Sequence, residues 1–236
     1  MKTVLIIGGS AEARGLSRAL PGASVRLPVP ERVAQAWPGE VSFGAVTAEW
    51  IAQKGVRAVI EAAHPCDDHA AWQVAQACGE AGVVRLQLVR PQWRARRRDH
   101  WVRLRRPDEA ARIIPKGARI LLTTGRALLP GFRGLDAYFL VRRIGTAAVP
   151  FPLRQGKFLY GEGPFSVAEE IALLRRERID WLVMRNAGGL GGWPKLEAAR
   201  RLGLPVAMID RPRRPGGPRV HTIEEALAWL AKQQNA

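Results

Sequence analysis

The residues of this 236-residue chain that could carry chemistry stand at the ends of short apolar runs. The first run, Thr3–Ile7, leads into Gly8-Gly9-Ser10-Ala11-Glu12-Ala13, where a helical pattern begins at once. Such a turn presents backbone N–H groups at a helix N-terminus, where unpaired donors and the helix dipole favour a phosphate. Glycine lets the phosphate approach without meeting a Cβ. The order is not the G-x-G-x-x-G fingerprint, and glycine also serves strand-to-helix geometry alone, so a nucleotide site and a plain turn both stay open.

In dinucleotide-binding folds an acid near the end of the second strand holds the ribose hydroxyls, whereas a base there suits the 2′-phosphate of NADP. Here the stretch reads Ser24-Val25-Arg26-Leu27-Pro28-Val29-Pro30-Glu31-Arg32. Arg26 or Arg32 would serve NADP; Glu31 would serve NAD. The next strand ends in Glu61-Ala62-Ala63-His64-Pro65-Cys66-Asp67-Asp68-His69. Its ligand types match no standard zinc spacing, and no metal is expected. His64 stands at a strand's C-terminal edge, where α/β folds hold ligands, and is expected to line a cleft; a capping or packing role is the alternative.

The second half offers three more such loops: Thr123-Thr124-Gly125-Arg126, Gly161-Glu162-Gly163-Pro164-Phe165, and Arg185-Asn186-Ala187-Gly188-Gly189. Arg126, Arg185, Asn186 and Lys195 supply charge and donors near them. Each loop could be ordinary turn chemistry, but three at one sheet edge point to a binding cleft.

The elements that must position these residues alternate β-rich runs with helical stretches, the pattern of parallel α/β layers. Strands are expected at Thr3–Ile7, Ser24–Leu27, Ala58–Glu61, Val83–Leu88, Arg119–Thr123, Tyr138–Val141, Lys157–Tyr160, Trp181–Arg185 and Pro205–Ile209. Ser166 with Glu169 reads as a capping box opening a helix to about Arg178. Thr222 with Glu225 repeats the device before a last helix on which Ile223, Leu227 and Leu230 share a stripe. The segment from Arg85 to Arg106 holds nine arginines and one acid, Asp99, and reads as a surface crossing between two halves. No internal repeat is visible.

Two cysteines, Cys66 and Cys78, suggest no disulfide framework and fit a reducing cytoplasm. No apolar run approaches the roughly 20 residues of a membrane span, and the N-terminal run reads as a strand rather than a signal peptide. A soluble protein without a membrane partner is expected. The net charge of +16, from 37 Lys and Arg against 21 Asp and Glu, calls for an anionic partner or reflects Arg-rich composition alone. Arg with interleaved Trp93 and Trp101 admits a nucleic-acid surface as a rival from another class.

Taken in order, these motifs resemble the precorrin-6A reductase family. The resemblance rests on Leu5–Ala13, Ala63-His64-Pro65, Arg90-Pro91-Gln92-Trp93, Leu122–Arg126, Gly163-Pro164-Phe165, Asn186–Gly189, Lys195–Arg200 and Leu204-Pro205-Val206, and it spans nearly the whole chain. Departures are Glu61, Ala63, Cys66 and Asp67 in a stretch that is usually Asp-Ala-Thr-His-Pro-Phe-Ala, the altered Leu27–Pro30, and Arg185 where a lysine is common.

The resemblance implies an α/β fold of two Rossmann-like domains with mainly parallel sheets and an interdomain cleft. Residues 1–114 would bind the cofactor and 115–236 would close the substrate cleft. It implies NADPH-dependent reduction of precorrin-6A to precorrin-6B, with cobalt-precorrin-6A as the alternative substrate. Gly8, Gly9, Ser10, Glu12, Ala13 and Arg32 would meet the cofactor. Thr124, Gly125, Arg126, Gly163, Pro164, Asn186, Gly188 and Lys195 would meet the tetrapyrrole, and His64 is the candidate proton donor. No nucleic acid is expected as partner, and the chain is expected to act as a monomer or small homo-oligomer.

Overall fold

The computed structural model describes residues 3–29, 37–143, 149–161 and 163–234. Arg32, Glu31, Pro30 and Glu162 therefore lie outside the described residues. The chain divides into two compact units, 1–91 with 212–236, and 92–211.

The first unit runs β1 (Thr3–Ile7), α1 (Ala11–Ala19), β2 (Ser24–Leu27), β3 (Val41–Phe43), α2 (Ala48–Gln53), β4 (Val56–Glu61), α3 (Asp68–Glu80) and β5 (Val84–Leu88). The second runs β6 (Trp101–Leu104), a 3-10 helix (Pro107–Arg112), β7 (Arg119–Leu122), a second 3-10 helix (Arg126–Phe132), β8 (Tyr138–Arg143), β9 (Gly156–Tyr160), α4 (Val167–Arg176), β10 (Trp181–Arg185), α5 (Trp193–Leu202) and β11 (Val206–Ile209). The chain then returns to the first unit with β12 (Arg219–Val220) and α6 (Ile223–Gln234).

The two sheets are ordered β12-β5-β4-β1-β2-β3 and β6-β11-β10-β7-β8-β9, and their strand pairs are parallel. Each is the doubly wound dinucleotide order, with the direction of progression reversing between β1 and β4 in one and between β7 and β10 in the other. The sixth strand of each is supplied from the far side of the other in sequence. β6 follows β5 yet pairs with β11, Ile209 opposite Leu104. β12 follows β11 yet pairs with β5, Val220 opposite Leu88.

This exchange corrects the expected boundary after residue 114. Residues 92–114 belong to the second unit because β6 completes its sheet, and 212–236 belong to the first because β12 and α6 complete it. It also corrects the surface crossing expected from Arg85 to Arg106, since Val84–Leu88 and Trp101–Leu104 are strands and only the stretch between them crosses. β3, β6 and β12 were not among the expected strands. All three are short: β3 and β12 are sheet edges, and β6 reads Trp-Val-Arg-Leu without an apolar run.

Both sheets are buried on both faces, as parallel sheets must be. Period-two alternation sends Ile6, Ile60 and Leu86 to the face covered by α1 and α6, and Leu5, Ile7 and Val59 to the face covered by α2 and α3. In the second unit Ile120, Leu122 and Val183 meet the 3-10 helices while Leu121, Leu182 and Met184 meet α4 and α5. Gly15 on α1 permits the approach of α6, for a Cβ there would stand 2.6 Å from Ile223 Cδ1. The capping box forms: Glu169 N donates to Ser166 Oγ at 3.2 Å and Ser166 N to Glu169 Oε2 at 2.7 Å. Its counterpart holds too, with Glu225 N donating to Thr222 Oγ1 at 3.2 Å. No helix among the described residues is long and apolar enough to cross a membrane.

Candidate active site

In the first unit the site-forming residues gather where β1 and β4 lie side by side. Ile7 is paired with both Arg26 and Glu61, so the turn after β1 faces the ends of β2 and β4. Ser10 caps α1: its Oγ accepts from Ala13 N at 3.1 Å and donates to Ala62 O at 2.7 Å. Gly9 has φ +132°, and a Cβ on it would lie 3.3 Å from His64 N. At Gly8 a Cβ would fall 2.4 Å from Leu27 Cδ2, the end of a side chain that would have to shift. Gly9 is thus demanded by the fold, and α1 begins two residues further on, directly after β1. Of the other expected cofactor contacts, Glu12 is paired with Arg90 at 2.6 Å and the Ala13 methyl lies in the core.

Arg26 is engaged by its own unit. Its Nε and Nη2 donate to Ala45 O at 3.0 and 2.8 Å, Nη1 donates to Ser42 Oγ at 3.2 Å, and the guanidinium stacks on Trp50. It is a brace for the loop after β3, which the sequence offered as a 2′-phosphate ligand.

The loop after β4 is built on Glu61, which is fully buried. One carboxylate oxygen accepts from Ala63 N at 2.9 Å and the other pairs with Arg214. Arg214 also reaches Gln87 Oε1 at 3.2 Å. Glu61 therefore has its partner in the segment that leads into β12. His64 Nδ1 accepts from Cys66 N at 3.2 Å, which leaves the neutral ring's proton on Nε2. Asp67 caps α3 through Ala70 N at 3.1 Å.

In the second unit the corresponding switch lies between β7 and β10. Gly125 has φ +86°, and a Cβ on it would meet Arg185 Nη2 at 3.5 Å, so the turn after β7 and the end of β10 touch. The Thr123 hydroxyl is buried without a hydrogen-bond partner among the described residues, and Thr124, the expected contact, is 1% exposed. Arg126 is exposed, and neither it nor Arg185 pairs with an acid among the described residues.

Asn186 carries a role that the sequence did not reveal. Its Oδ1 accepts from Trp93 N at 2.9 Å and its Nδ2 donates to Trp93 O at 3.0 Å. Trp93 Nε1 donates to Gly189 O at 3.0 Å, and its ring fills the space a Cβ on Gly192 would take. Arg211 Nε donates to Asn186 O at 2.7 Å. The loop after β10, which includes Gly188 at φ +69°, thus anchors the chain at both points where it enters and leaves the unit. The turn Gly163-Pro164 is exposed and is followed by Phe165, over which Arg142 stacks.

Lys195, on the first turn of α5, is nearly buried; Glu170 Oε1 lies 4.0 Å from its Nζ. Both oxygens of Glu170 are taken by Arg142, at 2.5 and 2.9 Å. Burial holds the Lys195 pKa below its ordinary value, with Glu170 opposing that shift and Arg142 adding to it. Arg142 and Glu170 escaped the sequence reading because nothing in their spacing signals that a strand end and a helix start converge.

Two doubly wound parallel sheets with flanking helices define a Rossmann-like α/β protein. The sequence matches the precorrin-6x reductase family, CbiJ/CobK, over residues 3–231, and the chain belongs to that family. It is 37% identical to a precorrin-6A reductase of Rhodococcus erythropolis, covering 98% of each chain. It is 34% identical to one of Rhodobacter capsulatus, covering 98% of this chain and 96% of that one. The solved structure of a CobK precorrin-6A reductase superposes with a TM-score of 0.90 at 32% identity, covering 99% of this chain and 98% of the other.

Proposed function

We propose that this protein reduces precorrin-6A to precorrin-6B in cobalamin biosynthesis, as a cytoplasmic oxidoreductase acting on a CH–CH group with NADPH. The observation that carries this beyond family membership is the division of labour between the two switch points. The first offers a helix N-terminus to phosphates, and the second offers Arg126 and Arg185, which pair with no acid among the described residues.

Bound NADPH would supply the hydride. The residues of the first unit fit its phosphates, because α1 starts at the switch between β1 and β4 and Ser10 fixes that start. The substrate's acetate and propionate carboxylates suit guanidinium and ammonium partners, which form charge-assisted hydrogen bonds. His64, with its proton on Nε2, is the group to which we assign proton delivery.

The test is an anaerobic assay of the purified protein with precorrin-6A and with its cobalt complex, each with NADPH and NADH. The expected result is turnover of the metal-free substrate with a kcat/KM for NADPH at least about tenfold above that for NADH, roughly 1.4 kcal/mol. Equal use of both cofactors would overturn the cofactor assignment, turnover of the cobalt complex alone the substrate, and no turnover the activity.

A further inference from the structure

One buried ion pair of the first unit grips the chain on either side of His64. Its members, Glu61 and Arg214, are distant in sequence, and both side chains are buried. One Glu61 oxygen accepts from Ala63 N at 2.9 Å, and the other is paired with Arg214. Arg214 directs Nη1 to Pro65 O at 3.5 Å, the longer of these contacts, and Nε to Gln87 Oε1 at 3.2 Å. The residue before His64 is thus held by the carboxylate, and the residue after it by the guanidinium.

The rest of the loop is tied down around them. Ser10 Oγ donates to Ala62 O at 2.7 Å, Asp67 N donates to His64 O at 2.8 Å, and Cys66 N donates to the His64 ring at Nδ1 at 3.2 Å. Gly9 packs against the same backbone, where a Cβ would lie 3.3 Å from His64 N. The segment that carries Arg214 is braced in turn. Gln87, fully buried, donates through Nε2 to Pro215 O at 3.0 Å, and Trp72 Nε1 donates to Arg213 O at 3.2 Å.

Stability alone gives no reason for a charged pair here. Desolvation offsets much of the attraction between two buried charges, and apolar residues of similar volume often serve a core as well or better. What the ion pair supplies and an apolar pair lacks is direction. The carboxylate accepts from one fixed N–H, and the planar guanidinium donates along several fixed lines at once.

We propose that Glu61 and Arg214 are positioning residues for His64, fixing the backbone at Ala63 and Pro65 so that the imidazole meets the reacting part of the substrate. The inference rests on the assignment of proton delivery to His64 above and adds the groups that hold it in place. Misplacing a reacting group by about 1 Å costs on the order of a hundredfold in rate. The grip therefore bears on kcat rather than on KM.

The experiment measures kcat, KM for precorrin-6A and for NADPH, and melting temperature in wild type, in Arg214→Lys and in the apolar double variant Glu61→Leu with Arg214→Met. Each is measured again in a His64→Ala background. The apolar pair leaves no charge buried without its partner, so it should melt near the wild-type temperature. Its kcat should fall by about ten- to a hundredfold, with both KM values within about twofold of wild type. Arg214→Lys keeps a cation beside Glu61 but loses the fork. It should lose kcat by a smaller factor, and it carries the test if the apolar pair does not fold. Without His64 neither change should lower kcat further, because residues that act through one group do not add. An equal loss of kcat in both backgrounds, or wild-type kcat in the folded variants, would overturn the positioning role. Wild-type kcat in His64→Ala would instead refute the assignment of proton delivery, and absence of turnover in the wild type the activity itself.

Discussion

Gly9 shows how much one position can be asked to do. Its φ of +132° is one that L side chains rarely adopt, and a Cβ would crowd His64 N and Ala63 Cα. Gly9→Ala is expected to destabilise the protein by about 1–3 kcal/mol in urea denaturation; a wild-type midpoint would show that the turn relaxes. Cys78 is a second residue with a definite expectation. Burial pushes its thiol up from 9.0 to about 11, although Arg85 pulls the other way. A raised thiol pKa means that native Cys78 keeps its proton where the unfolded chain loses it, so its contribution to stability is present below pH 9 and fades as pH climbs toward about 11. Alkylation by iodoacetamide at neutral pH should therefore be slow in the native protein and rapid in urea; fast native labelling of Cys78 would contradict the burial. The types of such residues are legible in the sequence, but their commitments are not. Arg26 reads as a phosphate ligand until the carbonyl of Ala45, far along the chain, is seen to occupy it.

At the scale of elements, what the sequence shows clearly is what local chemistry decides. The Ser166–Glu169 and Thr222–Glu225 boxes and the central strands are set by nearby residues and by apolar period. β6 and β12 depend on partners supplied by distant segments, and neither Trp-Val-Arg-Leu nor Arg-Val announces a strand alone. The same distance hides the link between Glu61 and Arg214, which ties the end of β4 to the segment entering β12. Arg214→Met should cost about 3–5 kcal/mol because it leaves a buried carboxylate without its cation. The double variant Glu61→Gln with Arg214→Met should cost clearly less than the sum of the two single changes. Additive losses in urea denaturation would show that the pair is not coupled. Asn186→Ala should lower stability by about 1–3 kcal/mol, since the Trp93 amide and carbonyl lose their partners; an unchanged melting midpoint would return Asn186 to a purely ligand-binding role.

For the molecule as a whole, the same six-strand order occurs twice in a chain whose sequence displays no repeat. The order needs only apolar residues at matched positions, and many sequences meet that need. Because the sixth strands are exchanged, the chain does not divide where its midpoint suggests. A fragment of residues 92–211 holds a complete sheet and should unfold cooperatively in urea. A fragment of residues 1–114 lacks β12 and α6, leaves the face of α1 bare, and should not; a cooperative transition in it would contradict the exchange. The excess of cations gives a further whole-molecule expectation, a KM for the tetrapyrrole that rises with ionic strength as exposed charges are screened. The central claim, hydride delivery from NADPH to precorrin-6A, is tested most directly by mass spectrometry of the product formed anaerobically with NADPH deuterated at the transferring position. The account predicts a product two hydrogen atoms richer than precorrin-6A, one of them carrying the label. An unchanged tetrapyrrole, or a reduced one without deuterium when either face of the nicotinamide is labelled, would contradict it.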